Sequence, residues 1–209
     1  AFDEALAIRR QLVKDHPAVP DFKSALAKSL INVGNSFPDE TRDPFPLYEE
    51  SLDLTRQLVL TDPSNENWQG GLCESLDRMA VFHGSRGKIA EAVAFHEENL
   101  AIKRKMLQID PSDRRWQEML GFSLNRLGAL HLEQKMLPAA LPVLEEALGI
   151  FRRITQSDPS DSSNLTQLEQ SLTNLSAVYR LQGKFVEEKA LHSEGNEVIR
   201  TLANLDPAN

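Results

Sequence analysis

Few residues in this sequence are of a kind and spacing that could do chemistry. Glu188 and His192 lie four apart, one helical turn, which suits two ligands of a metal ion. No third ligand is foreseeable beside them, so no metal is expected. Cys73 is the one cysteine, which excludes an internal disulfide and any multi-cysteine metal site. Next to Leu72 it reads as a small packed residue rather than a nucleophile. His83 and His131 recur at a spacing of 48, with Tyr179 in the third slot, and suit half-buried packing positions. Glu49-Glu50, Glu97-Glu98 and Glu145-Glu146 also recur, so they belong to a helix face and not to a pocket holding an acid–base pair. Arg10, Arg56, Arg104, Arg152 and Arg200 form a further series, of five. One reading makes them a phosphate-binding ladder; the other pairs each with a nearby Glu or Asp close to a helix C-terminus, and recurrence in every copy favours packing. No Ser/His/Asp or Cys/His arrangement and no phosphate loop can be assembled. The chain reads as a non-enzyme with no catalytic residue and no cofactor.

What recurs must be held by recurring elements. DPSNENWQGGLCESLDRMA, from Asp62, is nearly copied by DPSDRRWQEMLGFSLNRLG, from Asp110. Pro17, Pro63, Pro111, Pro159 and Pro207 follow one another at intervals of 46, 48, 48 and 48 residues. After each of the first four comes Phe22, Trp68, Trp116 or Asn164, then Leu26, Leu72, Leu120 or Leu168. Leu30, Leu76, Leu124 and Leu172 follow, then Val33, Met79, Leu127 and Leu175. Steps of four, four and three keep these side chains on one helical stripe, helix A. Beyond a break such as Gly87-Lys88 or Gly183-Lys184, a second stripe marks helix B: Leu52, Leu54 and Leu58, then Leu100, Ile102 and Met106, then Leu148, Ile150 and Ile154. Leu6, Ile8 and Leu12 show the tail of an earlier helix B. Asn65, Asp113 and Asp161 are placed as N-caps, and Pro20 as a first helical residue. The pattern predicts about seven helices in antiparallel hairpins, which hide their apolar stripes by stacking as an all-α solenoid.

The predicted organisation is a single repeat domain over 1–209. Residues 1–17 form the second helix of a preceding repeat, with repeats at 18–63, 64–111, 112–159 and 160–207. The Pro-rich stretch FPDETRDPFPL at 37–47 replaces the usual Gly turn, so helix A should end near Phe37 and helix B start near Pro46. In the last repeat Glu188, Gly195 and Asn196 interrupt the stripe, and its second helix should pack less tightly. The chain starts at Ala1 inside an amphipathic pattern and stops at LDPAN, which reads as a piece excised from a longer protein.

Composition bounds the partners. Of 209 residues, 41% are hydrophobic and 26% charged, enough for a sizeable core. No apolar run is long enough to span a bilayer, and no signal peptide opens the chain. A net charge of −8 repels nucleic acid and anionic membrane surfaces, so neither is expected as a partner. Low cysteine content makes the cytoplasm the expected location.

The stretch LNRLGALHLEQKMLPAALPVLEEAL, Leu124 to Leu148, resembles a tetratricopeptide repeat. Leu127-Gly128 matches the family's Leu-Gly pair, and Ala140, Leu144 and Ala147 its small-large-small positions on the second helix. The copy before it has Met79-Ala80 but keeps Gly87, Ala92 and His96. The family repeat is about 34 residues; the extra length amounts to roughly four helical turns, which lengthens both helices without rotating a face. The chain is similar to the long-helix arrays of bacterial multidomain signalling proteins. That resemblance implies a superhelix that binds proteins or peptides and has no chemistry of its own.

It also implies that the A helices line a concave groove. The face opposite the core stripe then carries Lys28, Ile31 and Asn35, Glu74, Asp77 and Val81, Phe122, Asn125 and Ala129, and Gln170, Thr173 and Ala177. Phe122, with Asn125 one turn on, stands as the central anchor for a partner; the other reading tucks Phe122 against a neighbouring A helix. Glu74, Asp77, Lys28, Asn35, Gln170 and Thr173 complete the expected partner-binding set. Family grooves that clamp a C-terminal carboxylate want Lys where Ile31 stands, and Arg78 and Arg126 match that pattern only in part. A mixed or basic peptide, or a helix, is the expected ligand. The open end helices also permit self-association as an alternative role.

Overall fold

The computed structural model describes residues 2–36 and 42–205. Among the described residues the chain forms nine helices and no strand: α1 (Phe2–Asp15), α2 (Pro20–Asn35), α3 (Phe45–Thr61), α4 (Glu66–Ser85), α5 (Ile89–Ile109), α6 (Arg114–Glu133), α7 (Leu137–Ser157), α8 (Ser162–Leu181) and α9 (Phe185–Leu205). The even-numbered helices are the A type. The count exceeds the expected seven: a leading helix and four two-helix hairpins make nine, and α9, whose apolar stripe Glu188, Gly195 and Asn196 interrupt, is a full helix.

Asn65, Asp113 and Asp161 fix three of the starts. Each side-chain oxygen accepts from the backbone N–H three residues on, at 3.1 Å from Trp68, 3.0 Å from Trp116 and 3.1 Å from Asn164. Such a cap satisfies one of the orphan N–H groups of a helix start and contributes about 0.5–2 kcal/mol. Pro20 opens α2, where its missing N–H costs nothing. The hairpin turns after α4, α6 and α8 share one device, a residue at positive φ in the same register: Gly87 (72°), Lys135 (58°) and Gly183 (73°). Around the Pro-rich stretch, α2 ends at Asn35 and α3 starts at Phe45. Phe37 and Pro38 lie outside the described residues, as do Ala1, Pro207 and Asn209.

The chain divides into two compact units, Ala1–Ile102 and Lys103–Asn209. In the first, α2 packs on α1 and α3, and α4 packs on α3 and on α2. Its core runs through Leu26, Leu30, Val33 and Leu54, then Leu52, Leu72, Leu76 and Phe82. In the second unit α7 packs between α6 and α8, α9 lies on α8, and α6 touches α8 directly. Glycines let large side chains close these contacts: Leu144 lies against Gly128 and Phe151 against Gly121. In α9 the buried residues are Leu191 and Val198. No helix among the described residues is long and apolar enough to cross a membrane.

Candidate partner-binding faces

Each unit has its A helices side by side, so each presents an outer A-helix face that the B helices do not cover. On α2 that face carries exposed Lys28, Asn32 and Asn35. At the same register α4 carries half-buried Glu74 and Arg78 and exposed Val81. On α6 it carries half-buried Phe122, exposed Arg126 and half-buried Ala129. On α8 it carries exposed Gln170 and half-buried Ala177.

The middle of the expected stripe lies elsewhere. Ile31 is 1% exposed and Asn125 4% exposed. Asn125 Nδ2 donates to the Gln167 carbonyl at 3.2 Å, and the Ser171 hydroxyl donates to Asn125 Oδ1 at 2.8 Å. This register points sideways at the neighbouring A helix, so Asn125 is consumed by the α6–α8 contact and offers nothing to a partner. The open position is the next one along, where Asn32, Arg78 and Arg126 stand. Asp77 is half-buried, while Thr173 is exposed and donates to Glu169 Oε1 at 2.7 Å. Gln170 Nε2 donates to Asn174 Oδ1 at 3.0 Å. Phe122 is half-buried and packs on Phe151 of the B helix α7, with ring centroids 5.6 Å apart at 76°.

Two polar clusters touch these faces. In the first unit the Tyr48 hydroxyl donates to Asn35 Oδ1 at 2.9 Å. Burial pushes the Tyr48 phenol up, and the Arg78 charge pulls it back down. In the second unit Arg180 Nε donates to Glu188 Oε1 at 2.7 Å, and its Nη2 approaches His192 Nε2 at 3.3 Å. The guanidinium thus occupies the carboxylate and imidazole that were spaced like metal ligands. Among the described residues no three His, Cys, Asp or Glu are grouped to hold a metal ion.

Four of the five arginines of the series form a ladder of ion pairs. Arg10 pairs with Glu50, Arg56 with Glu98 at 2.9 Å, Arg104 with Glu146, and Arg152 with Glu194. Each partner sits on the B helix of the next hairpin. These bonds hold the Arg10 and Arg152 guanidiniums further above their ordinary pKa. The second residue of each recurrent Glu-Glu pair is the partner, so the two series seen separately in the sequence are one interface. A further signal went unread: Ser29, Ser75, Ser123 and Ser171 share one register, and all four are buried. Cys73 is fully buried, and His83 and His131 are buried packing residues.

The comparisons with known proteins follow this geometry. Residues 72–113, from within α4 through α5 to the cap of α6, match the family model described as tetratricopeptide repeat. These residues form a tetratricopeptide repeat. The solved structure of BtubC (BKLC) from P. vanneervenii is similar to it with a TM-score of 0.65 at 17% identity, covering 96% of this chain and 74% of that one. MamA is similar with a TM-score of 0.58 at 12% identity, over 97% and 91% of the two chains. Aspartyl phosphate phosphatase F from Bacillus subtilis gives 0.61 at 14%, over 98% of this chain and 52% of that one. At such identities the likeness is one of fold. No curated protein matches by sequence. Tetratricopeptide-repeat folds generally serve as protein-interaction or scaffold modules, generally without catalysis, and bind protein partners.

Proposed function

We propose that this chain is a scaffold that binds a peptide or a partner domain on the outer faces of its A helices. The observation that carries the reading is the division of labour among polar groups. Arg10, Arg56, Arg104 and Arg152 of the B helices are spent on glutamates of the next B helix, and Asn125 is spent between α6 and α8. On the outer A faces, Phe122 is half-buried, and Arg78 and Arg126 have no ion pair among the described residues. A half-open aromatic beside an unspent guanidinium is the usual make-up of a binding anchor. In the second unit Phe122, Arg126 and Gln170 form the working set, and in the first Lys28, Asn35, Glu74 and Arg78; Asp77 and Thr173 flank them.

The test is a comparative capture from a native extract, read by mass spectrometry. The baits are the whole chain and a Phe122→Ala/Gln170→Ala variant shown by circular dichroism to keep its helicity. A partner held by the first and lost by the second supports the reading. A partner held equally by both refutes it and moves attention to the B helices.

Self-association is a second reading, drawn from apolar side chains on the first and last helices. Ile8 is 58% exposed on α1, and Phe185 is 66% exposed on α9. Sedimentation that shifts with concentration, and loses the shift in Ile8→Ser or Phe185→Ser, would favour it; a single species at all concentrations would dismiss it.

A further inference from the structure

We infer that a second copy of this chain docks head to tail: α9 of one copy takes α1 of the next, and Arg200 with the second copy's Glu4 adds a rung to the ion-pair ladder. The inference rests on the second reading above, self-association, and names the two surfaces that would carry it.

The rungs are directional, since an arginine of each B helix reaches a glutamate of the next B helix. Three helices take part on both sides: α3 with Glu50 and Arg56, α5 with Glu98 and Arg104, α7 with Glu146 and Arg152. By contrast α1 enters only through Arg10, and α9 only through Glu194. The complementary halves are nevertheless present. Glu4 lies 46 residues before Glu50 and Arg200 lies 48 after Arg152, the repeat intervals, so both stand in the rung register. Both are exposed, and neither has an ion pair among the described residues.

Bared apolar side chains accompany each lone charge. Thr55 reaches Ser75 and Lys103 reaches Ser123, each on the next A helix, so this B-helix slot faces the following hairpin. Thr55, Lys103 and Phe151 are buried in it, whereas Ile199, in the same slot beside Arg200, is 50% exposed. On α1, Glu4, Ile8 and Leu12 follow at steps of four and share one face. Leu54 and Ile150 are buried in the slot of Ile8, and Leu58, Met106 and Ile154 in that of Leu12. Joining the two faces removes apolar surface from water and gives each lone charge its counter-ion. A twofold contact of α9 with α9 would bring no free ladder glutamate, because Arg152 already holds Glu194. The contact is therefore heterologous, each copy using α9 once and α1 once.

The test is sedimentation velocity of the 209-residue chain over rising concentration at about 0.15 M salt, with helicity of each variant checked by circular dichroism. The unaltered chain is expected to associate. Arg200→Glu and Glu4→Arg should each lower the association constant about fivefold, because each sets like charges in the rung. An equal mixture of these two variants should associate again, since each offers the sign that the other lacks. The double variant Arg200→Glu/Glu4→Arg should behave as the unaltered chain. Lys189→Glu makes the same change of net charge at an exposed position of α9 outside the rung, and should leave association as it was. A chain that stays a single species overturns this inference together with the self-association reading. Association that survives Arg200→Glu undiminished, or that the mixture fails to restore, overturns this inference and leaves self-association standing.

Discussion

The Ser171 hydroxyl donates to Asn125 Oδ1 at 2.8 Å while Asn125 Nδ2 donates to the Gln167 carbonyl at 3.2 Å, so one asparagine joins α6 to α8 from both ends of its amide. The residue is 4% exposed, and removing it strands buried polar atoms. Asn125→Ala is expected to cost about 1–3 kcal/mol in urea unfolding, the usual penalty for a buried hydrogen-bonding group left without its partner. Hydrogen exchange should quicken in α6 and α8. Unchanged stability together with lost partner binding would instead restore Asn125 to the binding face.

Lys135 repeats at φ 58° the conformation that Gly87 and Gly183 adopt at 72° and 73°. A residue with a Cβ is strained in this left-handed region by roughly 1–2 kcal/mol, against which glycine loses more freedom on folding. Lys135→Gly should therefore raise stability slightly, by up to about 1 kcal/mol, while Gly183→Ala lowers it by about as much. Thermal melts of the two variants check both signs; a destabilising Lys135→Gly would show that the lysine side chain contributes more than its backbone strain costs.

The B-helix ladder gives a salt-dependent prediction. Arg56 and Glu98 are 45% and 41% exposed, so their pair is screened and contributes on the order of 0.2–1 kcal/mol. Arg56→Glu should cost more than Arg56→Gln, because it sets like charges face to face. Arg56→Glu with Glu98→Arg should recover most of that loss. The differences should shrink in high salt. A double-mutant cycle with no coupling at low salt would show the rung to be a geometric coincidence.

How far the sequence could be read follows from the range over which each signal acts. The caps at Asn65, Asp113 and Asp161 and the leucine stripes were legible because a cap bonds three residues on and a stripe repeats within one helix. The orientation of Asn125 was not. Whether that register points outward or sideways depends on the direction of the neighbouring A helix, which intrahelical periodicity does not encode. The ladder partners were hidden for a related reason: Arg56 and Glu98 belong to different hairpins, and each series looked self-sufficient. The arginine–glutamate offset was constant in three of four rungs and could have revealed them. The bond from Tyr48 to Asn35 was hidden because the slot of Tyr48 holds His96 in the next copy and Leu144 in the one after.

The Asp-Pro-Ser turns supply the pH prediction. The Ser112 hydroxyl, and after it the Ser112 N–H, holds the Asp110 carboxyl below its ordinary range, and Ser64 and Ser160 do the same for Asp62 and Asp158. A carboxyl whose pKa is lower folded than unfolded stabilises the fold above its unfolded value, about 3.9, and loses that contribution as pH falls through the folded value. Acid unfolding should thus draw on these turns below about pH 4 and leave neutral stability untouched. Ser112→Ala should raise the Asp110 pKa in a carboxyl-detected NMR titration and move the acid midpoint upward. An unmoved Asp110 titration would mean the hydroxyl bond does not persist in solution.

Leu144 and Gly128 test whether the close approach of α7 to α6 is required or merely permitted. Leu144 Cδ2 and Cγ would collide with a Cβ at residue 128 and Cδ1 would crowd it, and Leu144 is fully buried, so the side chain has little room to withdraw. Gly128→Ala gains helix propensity of about 1 kcal/mol, yet overpacking a filled core costs about 1–3 kcal/mol. The net should be destabilising. Leu144→Ala alone removes a buried leucine and should cost about 2–5 kcal/mol. In the double variant the new methyl occupies part of the space the leucine vacates, and the helix propensity gain is no longer opposed. The pair should therefore be more stable than the sum of the two single changes predicts, by about 1 kcal/mol or more. Strict additivity in urea denaturation would mean that α7 shifts away from α6 to accept the alanine, and that the glycine is a convenience of packing rather than its condition.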